Sequence, residues 1–227
     1  MPSSLQVVTL KMYRGPFKNY NYLVVDHHSG QAVIVDPAWQ INKIDRALTQ
    51  AGARLQGILL THGHADHVHL AKRLSKKYAC PIWMSQAEIA AFKFRAERLQ
   101  PLTGEPWSVG GLHIEPLPTP GHTPGSTCYR IGPNLFTGDT LFSEGCGLCP
   151  NQAAAEQLFV SLQRLKQLPG HTRVFPGHSY GQAPGQTLAR LLQQNIYLHF
   201  TCAADFATFR LRKGQNKLNW FRFRWAG

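Results

Sequence analysis

The feature that most constrains this chain is a cluster of histidines that directly follows an apolar segment. Residues 55–60 are mostly apolar and predict a buried strand. The four candidate ligands that come next are His62, His64, Asp66 and His67. Imidazole and carboxylate groups are common ligands of zinc and iron. On a turn, His62 and His64 can converge on one ion, while Asp66 and His67 can hold a second. A histidine-rich surface loop is the alternative interpretation.

Three further candidate ligands lie downstream, each beside a glycine in a turn or at a strand end. They are His122, Asp139 and His178. Glycine next to a ligand lets the backbone turn sharply, and loops at strand ends often carry chemistry. Each residue alone would more often be structural, as a capping Asp or a turn His. Together with the first cluster they complete a set for two metal ions.

These segments resemble the motifs of the metallo-beta-lactamase superfamily. The five motifs are Asp36 in an Ile-Val-Asp-Pro segment, the cluster from His62 to His67, His122, Asp139 and His178. The resemblance implies one metal ion held by His62, His64 and His122, and a second held by Asp66, His67 and His178. It also implies that Asp139 bridges both ions and that Asp36 supports the metal loop. An Asp at position 139 argues against the clinical β-lactamase branches and fits the branch of glyoxalase II and lactonases.

The resemblance implies a hydrolase with two Zn²⁺ ions, with iron or manganese as alternative metals. Two ions about 3.5–4 Å apart lower the pKa of a bridging water and generate a hydroxide nucleophile. The first ion can polarise a carbonyl, and Asp66 can orient the water or accept its proton. No side-chain nucleophile is needed, and the sequence has no Gly-x-Ser-x-Gly motif. We expect hydrolysis of a carbonyl compound, with a phosphodiester as the alternative.

Strand and helix patterns alternate along the chain and predict an α/β protein. We expect the metallo-beta-lactamase fold, a four-layer αβ/βα sandwich of two mixed β-sheets with outer helices. Helices are predicted at residues 41–51, 67–78, 86–99, 152–168 and 187–197. Residues 206–212 and 220–225 are predicted to be strand-like. We expect residues 1–227 to form a single domain, in which residues 181–227 replace the longer helical region of glyoxalase II.

Composition bears on location and redox state. The chain has 227 residues, enough for one buried core, and no apolar run of about 18 residues that could span a membrane. Its first residues lack the features of a signal peptide, so we expect a cytoplasmic protein. Its five cysteines lack disulfide-framework spacing and suit reduced thiols. Cys146 and Cys149 form a lone C-x-x-C, for which a pocket-rim loop is favoured over a redox pair or half a zinc site.

The charge balance predicts acidic partners. There are 24 basic and 12 acidic residues, giving a formal net charge of +12. Such a surface attracts nucleic acid, an anionic membrane surface, coenzyme A or an acidic carrier protein. In residues 220–225 aromatic and basic side chains alternate, so Arg222 and Arg224 would share one face of a strand. This tail is interpreted as an edge strand, with docking of an acidic partner as the functional alternative.

The substrate class is narrowed by similarity to glyoxalase II around residues 138–147. That family usually follows its Cys-Gly pair with a basic residue and aromatic residues that contact glutathione. Here Leu148 and Pro150 occupy such positions. Cys146, Leu148 and Tyr180 are the candidate residues of the substrate pocket, and for Tyr180 simple packing is an equal alternative.

The chain resembles the small zinc hydrolases associated with polyketide synthases, which remove acyl groups from acyl carrier proteins. An acidic carrier with a phosphopantetheine thioester suits a basic rim. We therefore expect a thioester hydrolase acting on carrier-bound acyl groups. The alternatives are a hydroxyacylglutathione hydrolase, a lactonase, an RNA-processing nuclease, a persulfide dioxygenase with one iron, and a non-catalytic binding module. No inserted RNA-binding segment lies between the motifs, so nucleic acid is disfavoured.

Overall fold

The computed structural model describes residues 5–15 and 17–212 and shows two six-stranded β-sheets. The first sheet contains β1 (Leu5–Arg14), β2 (Phe17–Asp26), β3 (Gln31–Val35), β4 (Arg54–Leu59), β5 (Ile82–Met84) and β6 (Leu99–Pro101). The second contains β7 (Trp107–Val109), β8 (Leu112–Pro118), β9 (Thr127–Ile131), β10 (Asn134–Gly138), β11 (Arg173–Pro176) and β12 (Gln186–Thr187). The helices are α1 (Ile41–Gln50), α2 (Ala65–Val68), α3 (Ala71–Tyr78), α4 (Gln86–Ala91), α5 (Gln152–Leu165), α6 (Leu188–Gln194) and α7 (Ala203–Leu211), with a 3₁₀ turn at Ile196–Leu198.

Both sheets mix parallel and antiparallel pairs. In the first sheet, β1, β2 and β3 pair antiparallel, whereas β3 to β6 are parallel neighbours. In the second, β10 and β11 are parallel, and the other neighbouring strands of the order β12-β11-β10-β9-β8-β7 are antiparallel. Parallel neighbours need crossover connections, which the helices supply. The predicted sandwich of two mixed sheets with outer helices is confirmed.

Three apolar clusters fill the layers of this sandwich. One lies between the first sheet and its helices, and one between the second sheet and α5, α6 and α7. The third lies between the two sheets. Strand β2 contributes side chains to two of these clusters, because successive side chains of a strand point to opposite faces of the sheet. Tyr22 and Val24 belong to the cluster between the sheets, and Leu23 and Val25 pack towards the helices.

Several predicted elements differ in the structure. The helix predicted at residues 86–99 is α4, which ends at Ala91, because Lys93 has a φ of +48° that breaks the helix and the chain then enters β6. The helix predicted at residues 67–78 is divided into α2 and α3. Strands β6, β7 and β12 were not predicted. They have two or three residues each, too few to produce a clear alternation.

The prediction of a strand-like segment at residues 206–212 is wrong, because α7 covers most of it. The buried residues of α7 are Phe206, Ala207 and Arg210, a helical spacing that turns one face towards α5. The rings of Phe159 and Phe206 lie 5.7 Å apart at this contact. The short alternation of apolar and basic residues at positions 209–212 resembles that of a strand. The tail prediction for residues 220–225 lies outside the described residues.

The two sheets are joined by hydrogen bonds at both ends of the sandwich. At one end, the N–H of Tyr20 donates to the carbonyl of Gly177, and the N–H of Thr127 donates to that of Thr61, each at 2.9 Å. At the other end, Asp26 accepts the N–H of Gly111 at 3.0 Å. Within the described part of the chain, every helix is too short or too polar to cross a membrane.

Candidate functional site

The predicted ligands are carried by loops, and by the short helix α2, at one end of the sandwich. His62 and His64 lie in the loop that follows β4, and Asp66 and His67 lie in α2 immediately after it. His122 lies between β8 and β9, Asp139 follows β10, and His178 follows β11. Loops on a rigid two-sheet scaffold hold side chains in fixed relative positions. The structure therefore brings residues that are up to 116 positions apart in the sequence into one cluster.

The first group of ligand atoms comes from His62, His64 and His122. Nδ1 of His64 lies 3.0 Å from Nε2 of His62 and 3.1 Å from Nε2 of His122. Two nitrogens on one tetrahedral zinc, each at about 2.0–2.1 Å, lie about 3.3 Å apart, so the group has the spacing of a metal site. Burial lowers the pKa of all three rings, that of His64 to about 3. The rings are thus neutral, the form that binds metal.

The second group comes from Asp66, His67 and His178. Oδ2 of Asp66 lies 3.3 Å from Nε2 of His178 and 3.8 Å from Nε2 of His67. Both Nε2 atoms, and Oδ1 of Asp139, are buried without a hydrogen-bond partner among the described residues. Buried polar atoms normally have partners, because leaving them unpaired is costly. A metal cation among these atoms would satisfy all three, so the residues fit such an ion.

Asp139 lies between the two groups. Its Oδ1 is 3.4 Å from Nε2 of both His67 and His178. Its Oδ2 points to the first group and lies 3.7 Å from Nε2 of His122. One carboxylate therefore presents one oxygen to each group, which is the geometry that a bridging ligand needs.

Asp36 supports the cluster from behind. It accepts hydrogen bonds from the N–H and hydroxyl of Thr61, at 2.8 and 2.6 Å, and lies 2.9 Å from Nδ1 of His67. Its φ of +49° is uncommon for a residue other than glycine and is typical of functional sites. Burial lowers the pKa of His67, but the carboxylates of Asp139, Asp66 and Asp36 outweigh it and raise this pKa to about 10. The same carboxylates attract a metal cation.

Backbone carbonyls orient two more of the histidines. Nδ1 of His122 lies 2.7 Å from the carbonyl oxygen of Leu148, and Nδ1 of His178 lies 2.8 Å from that of Lys18. A carbonyl oxygen can only accept, so each Nδ1 carries the proton. Each Nε2 then directs its lone pair into the cluster. Metal-bound histidines usually have this arrangement, in which the ring nitrogen that does not bind the metal donates its N–H to a carbonyl or carboxylate.

Two buried asparagines on β2 also serve the site, and sequence reasoning missed them. Nδ2 of Asn19 donates to the carbonyl oxygen and to Oδ2 of Asp66, both at 3.0 Å, and Oδ1 of Asn19 accepts from Nε1 of Trp39 at 2.9 Å. Asn21 donates to the carbonyl of Asp36. Both asparagines interrupt an otherwise apolar buried strand. That interruption is the sequence signal that could have identified them.

Glu88 is a third missed residue and is fully buried. Its Oε2 accepts the N–H of Gly63, and its Oε1 accepts that of Gly125, both at 2.7 Å. Gly63 lies between two histidines of the first group, and Gly125 lies in the loop that carries His122, the third histidine of that group. Glu88 thereby joins the two loops that carry this group. In the sequence, Ser85 and Glu88 have the spacing of a helix-capping pair, which concealed the second role.

The sequence comparison decides the family. Residues 14–178, which contain all these candidate ligands, match the description of the Metallo-beta-lactamase superfamily. The chain belongs to this superfamily. It is 43% identical over 225 residues to the probable polyketide biosynthesis zinc-dependent hydrolase BaeB of Bacillus velezensis, covering 98% of this chain and 100% of that protein. It is 32% identical to a probable hydroxyacylglutathione hydrolase of Schizosaccharomyces pombe, covering 94% and 86%.

A solved metallo-beta-lactamase from Staphylococcus aureus has the same fold. It superposes with a TM-score of 0.82 over 92% of this chain and 67% of its own, at 23% sequence identity. At this identity the likeness concerns the fold. It agrees with the two mixed sheets described above.

In this member of the superfamily, a cavity of about 270 Å³ lies beside the cluster. Its lining residues are Phe142, Glu144, Gly145, Cys146, Leu148, Tyr180, Tyr197 and Arg210. All three residues predicted for the substrate pocket, Cys146, Leu148 and Tyr180, lie on it. The ring of Phe142 is 6.2 Å from that of His178 and 5.5 Å from that of Tyr180. Phe142 therefore connects the cavity wall with the ring of His178 in the second group.

The C-x-x-C pair has none of the features of a reactive site. Cys146 and Cys149 are both buried and free of disulfide bonds. Burial raises the pKa of both thiols, that of Cys149 to about 12. Thiolates, not thiols, attack disulfides and bind zinc. The structure thus favours a structural role over a redox pair, with Cys146 on the cavity wall and Cys149 buried beside it in the sequence.

Proposed function

We propose that this chain is a thioester hydrolase with two zinc ions that removes acyl groups from an acyl carrier protein. Zinc-dependent hydrolysis is supported by superfamily membership and by the similarity to BaeB, described as a probable zinc-dependent hydrolase, over 98% of this chain. The observation that carries the proposal is the convergence of two groups of imidazoles and carboxylates on one shared carboxylate.

In this proposal His62, His64 and His122 would hold the first zinc ion, and Asp66, His67 and His178 would hold the second. Asp139 would offer one carboxylate oxygen to each group. The pair of ions, when bound, supplies a water of lowered pKa that can attack a thioester carbonyl. Iron or manganese suits the same nitrogen and oxygen donors, so the donor set alone does not select zinc. Zinc is proposed chiefly because the relative is described as zinc-dependent.

The chain's own residues position the reactants. Asn19 holds Asp66 by two hydrogen bonds, so that the Asp66 carboxylate stays oriented towards the cluster. We assign Asp66 the additional task of accepting a proton from the attacking water. The carbonyls of Leu148 and Lys18 keep Nε2 of His122 and His178 directed inward, which limits reorganisation during the reaction.

An acidic carrier protein complements the surface of this chain. Four of its twelve acidic residues, Asp26, Asp36, Glu88 and Asp139, are buried, so the exterior is more basic than the composition indicates. Two exposed lysines also lie in segments that contact the cluster. Lys18 is exposed and provides the carbonyl that orients His178. Lys93 is exposed and follows Phe92, whose ring packs 5.4 Å from that of His64. Such charges accelerate encounter with an acidic partner.

We also propose that the chain works as a single domain in the cytoplasm. The cluster draws ligands from loops of both sheets, so neither sheet alone holds the site. All five cysteines are free thiols, which suits a reducing compartment.

Hydroxyacylglutathione hydrolysis is the second candidate, since one relative at 32% identity bears that name. The positions at which that family usually contacts glutathione hold Leu148 and Pro150 here, and neither side chain can pair with a carboxylate. The same cluster could hydrolyse either thioester. The two candidate functions therefore differ in the thiol that carries the acyl group, which is phosphopantetheine on a carrier protein in one and glutathione in the other.

The deciding experiment measures thiol release by the zinc-loaded protein from matched acyl thioesters. One acyl group is supplied on a phosphopantetheinylated carrier protein and on glutathione. We expect the carrier-bound substrate to be hydrolysed with the higher kcat/KM, and the His64→Ala variant to lose nearly all turnover. Preference for acylglutathione would establish the second candidate. Turnover of neither substrate by fully metallated protein would reject thioester hydrolysis.

A further inference from the structure

We infer that the cavity beside the metal cluster binds the thiol arm of the substrate and that Glu144 selects a neutral, amide-containing arm. Such an arm is of the pantetheine type, in contrast to the acidic arm of glutathione. The inference rests on the proposed thioester hydrolysis and names the part of the site that would recognise the leaving thiol. No motif in the sequence points to Glu144.

The position of the cavity suits a group attached to the reacting thioester. Leu148 lies on the cavity wall, and its carbonyl oxygen is 2.7 Å from Nδ1 of His122. Phe142 lies on the same wall and packs near His178. The cavity wall therefore contacts one histidine of each ligand group, and a chain that leaves the reacting carbonyl on this side can enter the cavity. Its volume of about 270 Å³ suits a slender chain.

The cavity wall is polar as well as aromatic. Arg210 is only 4% exposed, and its Nε donates to the carbonyl of Gly147 at 2.8 Å. One terminal nitrogen of Arg210 donates to the hydroxyl of Tyr197 at 2.9 Å. These bonds fix the guanidinium against the wall. An apolar acyl chain cannot form hydrogen bonds with such groups, whereas the amides of a thiol arm can, so the arm suits the polar part of this wall better than the acyl group does.

Glu144 supplies the second charge on the wall. Its Oε1 accepts the N–H of Gln182, which ties the residue to the turn that carries Tyr180. Its Oε2 is buried without a hydrogen-bond partner among the described residues. Arg210 already donates to the carbonyl of Gly147 and to the hydroxyl of Tyr197, whereas Oε2 of Glu144 has no such partner among the described residues. Glu144 is thus the charge that an entering arm meets: an uncharged arm with amides fits this wall, whereas a carboxylate of glutathione meets a like charge.

The test compares wild type with Glu144→Gln, which keeps the shape of the side chain and its bond to Gln182 but removes the charge. Glu105→Gln, on an exposed loop, is the matched control. Two readouts are used with the zinc-loaded full chain. Calorimetry measures binding of S-methylpantetheine and S-methylglutathione, whose sulfurs carry no acyl group. Steady-state kinetics measures kcat and KM for one acyl group on pantetheine and on glutathione.

We expect wild type to favour pantetheine in both readouts. Glu144→Gln should narrow that preference by about tenfold, mainly through a lower KM for the glutathione substrate, because a like-charge contact is removed. Glu105→Gln should leave the ratio unchanged. An equal effect of Glu144→Gln on both arms, or no effect, would overturn the inference while leaving the hydrolase proposal intact. Pantetheine-selective binding without turnover of any thioester would instead reject the proposed reaction and keep the assignment of the cavity.

Discussion

The carboxylate of Asp36 lies 2.9 Å from Nδ1 of His67, so a residue outside the proposed ligand set orients one inside it. Two hydrogen bonds from Thr61 fix Asp36 independently of the histidine. The histidine ring can therefore direct Nε2 towards Asp139 before any ion arrives. Preorganisation of this kind raises metal affinity, because the ligands lose little freedom on binding.

Replacing Asp36 by Asn should weaken zinc binding by about 10–100-fold, the usual effect of losing an outer-shell partner of a ligand. Asn keeps the size of the side chain and tolerates the positive φ, so the change isolates the carboxylate charge. Competition with a chelating dye measures the affinity. Asp205→Asn, at an exposed position on α7, is the control and should bind zinc like wild type. Equal affinities in the two variants would show that Asp36 has no such role.

Replacing Glu88 by Gln should lower the free energy of unfolding by about 1–3 kcal/mol, because one backbone donor is left facing an amide group. The reason is that both oxygens of Glu88 accept N–H groups, from Gly63 and Gly125. Urea denaturation of the metal-free protein measures this loss without a contribution from zinc. The exposed Glu105→Gln variant should unfold like wild type. An unchanged midpoint in Glu88→Gln would mean that the two loops do not depend on this bridge.

Replacing Asp139 by Asn should reduce the bound zinc from two ions towards one per chain. The reason is that each carboxylate oxygen faces a different group, and an amide presents only one oxygen ligand. Elemental analysis after gel filtration measures the stoichiometry. His64→Ala should instead deplete the first group alone. Two full equivalents of zinc in Asp139→Asn would contradict the bridging assignment.

Asp26 predicts a pH-dependent contribution to stability far from the cluster. Hydrogen bonds from the hydroxyl of Ser29 and from backbone N–H groups, including that of Gly111, lower the pKa of Asp26 to about 2. The unfolded chain has a pKa of about 3.9 at this residue, so folding favours the charged form. The stabilisation is therefore complete above about pH 5 and declines as the pH falls towards about 2.

The Asp26→Asn variant should melt below wild type at neutral pH, and the difference in melting temperature should shrink on acidification. Differential scanning calorimetry at several pH values measures it. A difference that stays constant down to about pH 3 would assign the effect to shape and not to charge. Glu105→Gln again serves as the reference for a general loss of one negative charge.

The sequence contained enough information for the ligand motifs and the two sheets. His62, His64 and the downstream residues occur beside glycines after apolar strands, and that pattern depends only on local order along the chain. The segment of α7 was predicted to be a strand because an apolar and basic alternation over only four residues fits both the two-residue period of a strand and the 3.6-residue period of a helix. Only the contact with α5 selects the helix.

The supporting residues could not be derived in the same way. Glu88 is 25 positions from Gly63 and 37 from Gly125, so its role exists only after the sheets have packed. The same holds for Glu144 and Arg210, which are brought to one cavity by the packing of α7. Long-range polar contacts leave no periodic pattern in the sequence, whereas the buried faces of helices and strands do.

The main-chain bonds from Tyr20 to Gly177 and from Thr127 to Thr61 also make two amide protons into reporters of breathing between the sheets. Neither proton can exchange with solvent until the sandwich parts at the end that carries the cluster. Because the bonds are between backbones, conservative substitutions of the side chains of Tyr20, Thr61 and Thr127 leave them in place, whereas a side chain at Gly177 would collide with His67. Exchange at two identified amides thus separates opening of the scaffold from rearrangement of the side chains that line it.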